Sequence, residues 1–224
     1  LISHLDTLRM LERALRRSGL PVSFTGGFHP LPRLQLALPL PLGVEGGGEW
    51  MDLEFLEPVD PAVVIERLQP QLPPGFQVLA AAEVPVFGPS LSQELDGAHW
   101  SLALQPEDPT LCLSEEQWHQ AVAALLAADQ LPWHDTDKKG RARERDCRSA
   151  LRGLALTRVE EGLAYLDLEA AIDPAGRSLK PEQLRHWLAE RLGCGLQLAL
   201  QRRDQLTLKP VLASSQGKQE PDLA

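Results

Sequence analysis

A chain of 224 residues of which 43% are hydrophobic has enough apolar side chains for a packed core, which excludes wholesale disorder. Its formal net charge of −9 excludes a protein that is basic throughout, because neutralising a phosphate backbone takes Lys and Arg. No apolar run approaches the roughly 18 residues of a membrane span and no basic-then-apolar start marks a signal peptide, so the expectation is a cytoplasmic protein with no membrane partner.

In chain order, Leu1 to Ser3 read as the end of a strand entering a helix. Ser3-His4-Leu5-Asp6 has the spacing of a capping box, with Ser at the cap and an acid three residues on, and Gly19 is the natural stop after Ser18. Leu5, Leu8, Leu11 and Leu15 share one helical face, and Arg9, Arg13 and Arg16 share the other. After the loop Thr25-Gly26-Gly27-Phe28-His29-Pro30, alternating Leu34, Leu36, Leu38 and Leu40 predict a strand. Gly43 to Gly48 predicts a hairpin turn and Trp50 to Phe55 the returning strand. Asp60-Pro61 starts a second helix carrying Val64, Ile65 and Leu68, and Phe76 to Val84 is expected to be another strand.

The second half repeats the pattern. Trp100, Leu102 and Leu104 mark a strand, and Ser114 with Gln117 caps a helix carrying Trp118, Val122 and Leu125. Gly153 to Glu160 and Leu163 to Glu169 form a hairpin around Glu161-Gly162. Pro181 opens a helix with Leu184, Trp187, Leu188 and Leu192, stopped at Gly193, and Leu196, Leu198 and Leu200 alternate in a final strand. The expected fold is α+β, with two tandem ferredoxin-like (split βαβ) halves, the first missing its opening strand. The expected boundaries are 1–85 for half one, 86–96 for a linker, 97–203 for half two, and 204–224 for a strand remnant and a disordered tail. The start at Leu1 in place of Met reads as a fragment of a longer polypeptide.

Charge is unevenly distributed. Residues 1–34 hold five Arg against two acids and residues 137–152 hold seven Lys or Arg against three, leaving −16 on the remainder. The first patch comprises Arg9, Arg13, Arg16 and Arg17 with His29 and Arg33 beside a two-glycine loop, where backbone amides also suit an anion. The second comprises Lys138, Lys139, Arg141, Arg143 and Arg148, rich in the guanidinium groups that grip phosphate bidentately. In most proteins a polar helix face is simply solvated, and the alternation Arg143-Glu144-Arg145-Asp146 equally suits a solvated hairpin. As phosphate contacts, the two patches form an RNA-binding surface that reads backbone and shape, since aromatics near the second patch are few.

Other chemistry finds less support. Cys112, Cys147 and Cys194 are widely spaced with no Cys-x-x-Cys pair, against a disulfide framework, a zinc site or an iron–sulfur cluster. His99, His119, His134 and His186 share no metal-ligand spacing, so no metal and no cofactor is expected in this chain. His4 and His29 are the acid–base candidates, weakly supported by analogy to ribonucleases of similar fold. Asp6, Glu12 and Glu45 could be read as a carboxylate set, but Asp6 is accounted for by the helix start and Glu12 lies among arginines with which it can pair.

Two stretches carry a resemblance. Ser3-His4-Leu5-Asp6 through Arg9, Glu12 to Pro21, Gly27-Phe28-His29-Pro30 and Leu38-Pro39-Leu40-Pro41-Leu42-Gly43-Val44-Glu45 resemble the amino-terminal signature of the radical-SAM-linked (radical-SAM-associated) protein family. Lys139-Gly140-Arg141 followed by Asp146-Cys147-Arg148 is similar to its central basic motif. The resemblance implies a partner more than a reaction: a radical SAM protein, separate or fused, to which this chain is accessory and not itself an enzyme. The expected role is a substrate-presenting or docking module that binds RNA or a ribosomal or other ribonucleoprotein component. The alternatives are a protein-interaction module without RNA and a metal-independent endoribonuclease.

Overall fold

The computed structural model describes residues 2–85, 87–136 and 140–209. Lys138, Lys139 and the tail from 210 onward lie outside the described residues. The architecture is mixed α+β with two hydrophobic cores.

The smaller core is amino-terminal. Helix α1 (His4–Ser18) starts at the expected capping box, where Ser3 Oγ accepts from the Asp6 amide at 3.2 Å and the Asp6 carboxylate accepts from the Ser3 hydroxyl at 2.6 Å; it ends at Gly19 with φ 68°. That left-handed terminus costs glycine no Cβ clash. Ala14 and Leu15 are buried against Val64 and Leu68 of α2 (Pro61–Leu68) and against Leu20 and Val22, and Leu11 on the same face is buried too. Each fully buried Leu contributes on the order of 2 kcal/mol. Leu5, the first member of the expected stripe, is instead exposed.

Strands β1 (Leu34–Leu36) and β3 (Met51–Leu53) pair antiparallel, extended by an isolated bridge between Val22 and Phe55. β1 is shorter than expected because the prolines at 39 and 41 cannot donate to a ladder. The expected strand Phe76–Val84 does not form. In its place the Gln69 side chain satisfies the backbone, accepting from Val78 N at 2.8 Å and donating to Phe76 O at 3.3 Å. Among the described residues the first half is therefore a two-stranded pair with helices, and not a ferredoxin-like sheet.

The larger core belongs to a five-stranded sheet in the order β2-β9-β4-β8-β7. Its strands are β2 (Glu45–Gly46), β4 (Leu95–Pro106), β7 (Leu151–Glu160), β8 (Leu163–Ala171) and β9 (Leu196–Leu208). Neighbours among β4, β7, β8 and β9 are antiparallel. With α4 (Glu115–Leu126) after β4 and α5 (Pro181–Leu192) after β8, the second half has the split βαβ connectivity. Leu102, Leu104, Leu166 and Leu168 point to one face and are covered by Trp118, Leu125, Leu184, Trp187 and Leu188. The β7–β8 turn uses Glu161 at φ 51° and Gly162 at φ 81°, the two positive dihedrals of a type I′ hairpin.

Two further corrections concern the junction. Residues 91–94, inside the expected linker, form the short helix α3 (Leu91–Glu94), and β4 begins at Leu95. Strand β9 is continuous from Leu196 to Leu208, so the expected half-two boundary at 203 falls inside a strand. The polar run Gln201-Arg202-Arg203-Asp204 stays in the sheet because Arg203, 1% exposed, is fully engaged. Its guanidinium pairs with Glu49 at 2.9 and 2.5 Å, donates to Leu38 O at 3.0 Å, and lies 5.6 Å from the Trp100 ring.

The triple glycine is likewise more than a turn. Glu45 and Gly46 pair parallel with Arg202 and Arg203, and a Cβ on Gly47 or Gly48 would lie 2.9 or 2.8 Å from Asp204 O. Only glycine permits that approach. Through it, and through buried Ala37, the amino-terminal half is fastened to the sheet.

Candidate nucleic-acid interface

The outward side of α1 carries the first patch. Arg9, Arg13, Arg16 and Arg17 are all exposed, because the apolar period of α1 assigns Leu11, Ala14 and Leu15 to the core. Their engagements differ. Arg9 stands 3.8 Å from the Asp6 carboxylate, which Ser3 holds below the usual range, chiefly through its hydroxyl. Arg16 donates to Pro30 O at 2.7 Å and lies over Phe24 at 5.1 Å, so it braces the glycine loop. Arg17 donates to Gln71 O at 2.6 Å and so fastens α1 to the turn after α2. Arg13 makes no ion pair or hydrogen bond among the described residues and opens, with Arg17, Met10, Gln71, Leu72 and Pro73, onto a shallow concavity of about 280 Å³. Arg33 is tied to Glu54 at 3.5 Å, and Ser23 Oγ donates to the same carboxylate at 3.2 Å. His29 is exposed in the loop.

The second patch stands on a hairpin of β5 (Pro132–Thr136) and β6 (Ala142–Asp146). The hairpin leans on α5, with Trp133 edge-on to His186 and Trp187 and the Trp187 indole N–H donating to Pro132 O at 2.9 Å. Arg141 and Arg143 are exposed on β6 and beside it, and Arg145 pairs with Asp135 at 3.6 Å. Arg148 does something else. Its guanidinium donates to Ala128 O, Leu151 O and Leu126 O at 2.9 to 3.0 Å, closing the carboxyl end of α4. Asp146 supports this junction by accepting from the amides of Leu131 and Arg148, and those bonds hold its carboxyl below the usual range. The two patches thus stand on different cores.

Residues 1–200 match the model of DUF2344, described as an uncharacterized protein conserved in bacteria. The chain belongs to this family. The DUF2344 description assigns no reaction and no radical SAM partner. No curated protein matches the sequence. Among solved structures, the chain is similar to one in the crystal structure of a Cbf5-Nop10-Gar1 complex, at 11% identity and TM-score 0.53 over 90% of this chain and 44% of that one. A chain in an archaeal box H/ACA sRNP Nop10-Cbf5 complex aligns at 11% identity and TM-score 0.49, over 90% and 43%. The first likeness describes a fold alone, and this DUF2344 chain spans less than half of each of these two solved chains.

The acid–base candidates of this DUF2344 member are not joined. His4 sits at the first position of α1 with Nδ1 buried and without a partner among the described residues, whereas His29 is exposed on the loop. Neither bonds the other among those residues. Also among the described residues, no three His, Cys, Asp or Glu side chains are grouped to hold a metal ion, and no helix is long and apolar enough to cross a membrane.

One polar feature escaped the sequence reading. The sheet face opposite α4 and α5 has an open concavity of about 580 Å³ lined by His99, Ser101, Asp167, Glu169 and Asp204. Strand register creates it, setting Ser101 opposite Asp167 and His99 opposite Glu169, with Ser101 Oγ donating to Asp204 at 2.7 Å. The signal was in the alternate, solvent-phase positions of β4 and β8, but cross-strand register is not legible in one strand at a time. Its carboxylates repel phosphate, so it lies outside the basic interface.

Proposed function

We propose that this DUF2344 chain is a non-catalytic RNA- or ribonucleoprotein-binding module that holds its target for a radical SAM enzyme. The observation that carries the RNA part is the exposed face of α1, where Arg9 and Arg13 hold no other element in place and Arg13 faces a concavity shared with Arg17. Exposed guanidinium groups with no structural duty are what phosphate contact requires. Arg16, Arg17 and Arg33 shape the same surface while bracing its loop and turn. Arg141 and Arg143, with Lys138 and Lys139, extend the reading to the hairpin, and Arg148 positions that hairpin from behind. Similarity to a chain solved within a Cbf5-Nop10-Gar1 complex is in keeping with work inside an assembly. The radical SAM partner rests on the resemblance of the sequence motifs, and cofactor chemistry is assigned to that partner.

The test is the salt dependence of RNA binding. Replacing Arg9 and Arg13 by Gln removes two phosphate contacts, so the slope of log K against log salt should fall by about 1.4 for single-stranded RNA, with the fold intact by circular dichroism. An unchanged slope and affinity in the folded double variant would sink the RNA reading. Co-purification with the radical SAM protein in an RNA-free complex stable at high salt would instead make the chain a protein-docking module.

A further inference from the structure

The loop between Thr25 and Leu31 has a braced base and a bare tip. At the base, Thr25 N donates to Leu31 O at 2.9 Å, Leu31 N donates to Thr25 Oγ1 at 3.0 Å, and Phe24 bridges to Pro32. Arg16 adds a third support from α1 through Pro30 O, with its guanidinium over the Phe24 ring. At the tip, Gly26 and Gly27 have no atom within 4 Å of the position a side chain would begin, and Gly27 takes φ 109°. Phe28 follows them and is fully exposed, at 102% of its reference area.

A single exposed apolar side chain is common and needs no explanation. Phe28 differs in its setting. It is an aromatic ring at the tip of a loop braced at three points, and the arginine that braces the loop belongs to the exposed cationic face of α1. Charge complementarity makes the partner of that face an anion, while an uncovered ring offers a flat, apolar, sequence-tolerant surface. Both demands are met by one ligand class, a single-stranded nucleic acid whose phosphates meet arginines and whose unpaired base stacks on an aromatic side chain.

We propose that Phe28 is a stacking platform for an unpaired RNA base, set beside the arginines of α1. The inference rests on the RNA reading above and adds to it a preference for single-stranded over duplex RNA. Duplex RNA keeps its bases stacked on one another and offers none to the ring.

The experiment measures binding of the full chain to a 12-nucleotide single-stranded oligouridylate, to an abasic strand of the same length, and to duplex RNA, by fluorescence anisotropy at fixed salt. Phe28→Ala should weaken binding to the oligouridylate by about 5- to 150-fold, the equivalent of one stacked base. It should leave the abasic strand and the duplex within about 2-fold, and Phe28→Trp should restore or exceed native affinity for the oligouridylate. Three outcomes overturn the inference. If Phe28→Ala binds the oligouridylate like the native chain while Arg9→Gln/Arg13→Gln loses binding, the RNA reading stands and the platform falls. If Phe28→Leu is as good as Phe28→Trp, the residue fills an apolar socket and does not stack. If the native chain binds none of the three RNAs, the RNA reading fails and the platform with it.

Discussion

Around the five-stranded sheet, three arginines are engaged by the chain itself: Arg203, buried, by Glu49 and two carbonyls, Arg148 by three carbonyls, and Arg152, although exposed, bidentately by Asp96 at 2.7 and 2.9 Å. On α1 the arginines are turned outward, and of the four only Arg16 and Arg17 bond to another segment, Arg16 through one nitrogen to Pro30 O and Arg17 through two to Gln71. The same residue type therefore stabilises one region and equips the other. A guanidinium satisfied by protein acceptors has no donors left for a ligand, while an exposed one with no partner costs little to keep solvated and is available. Composition counts the two kinds alike, so the local excess of Arg in residues 137–152 overstates its binding capacity by Arg148 and Arg152.

The largest effect that tests this contrast is at Arg203. Removing the guanidinium strips Glu49 of its partner and leaves the carbonyls of Leu38 and Pro39 without a donor at a junction where the glycine segment meets β9. Loss of one member of a fully buried pair costs about 3 to 5 kcal/mol, and because Glu49 keeps 26% of its side chain exposed the expected cost is at the lower end, about 3 kcal/mol. Arg203→Ala should lower the urea midpoint accordingly, and a change under about 1 kcal/mol would mean the pair is solvated and the inward class is misdrawn. An intermediate effect is expected at Arg148. Its three acceptors lie at the partly solvated end of α4, where water replaces part of what is lost, so Arg148→Ala should cost about 2 kcal/mol. Affinity for RNA, measured on the folded fraction, should change less there than in the Arg9→Gln/Arg13→Gln variant. The reverse ranking would make Arg148 a binding residue.

Legibility in the sequence divides along a physical line. Features set by neighbours in the chain were readable: the capping box Ser3-Asp6, the Gly19 stop, the Ser114 cap and the Glu161-Gly162 turn all stand as their spacing indicated. Features set by distant partners were not. Phe76 to Val84 reads as a strand from its apolar run, yet a strand exists only where a neighbour supplies a ladder, and here the Gln69 side chain bonds the backbone of Phe76 and Val78. The apolar alternation Leu196, Leu198 and Leu200 marked β9 but not the place of Arg203 in it, because Glu49, which neutralises Arg203, is 154 residues away. The α1 face of the candidate site was legible from helical period, but which of its arginines were engaged was not, since Pro30 and Gln71 are acceptors brought near only by folding.

The smallest of the effects is acid sensitivity, which should also divide between the regions. Among the described residues, the carboxyls held below their usual range are Asp96, Asp108, Asp146 and Asp173 on the sheet side, against Asp6 on α1. Asp96 is lowered first by its hydrogen bonds from Arg152, and Asp146 by the amides of Leu131 and Arg148. A carboxyl whose folded value lies below its unfolded value binds a proton more readily when unfolded. Its contribution is therefore present in full above the unfolded value near 4 and lost as pH falls through the lower folded value. Stability measured by urea unfolding should be flat from about pH 7 to about pH 5 on account of these groups and decline below about pH 4. Asp96→Asn and Asp146→Asn should each flatten that decline, while Asp6→Asn, at an exposed helix start, should flatten it least because its cap is solvated and local. Equal flattening by all three would show that acid sensitivity follows the number of carboxylates and not the inward pairing that separates the sheet from α1.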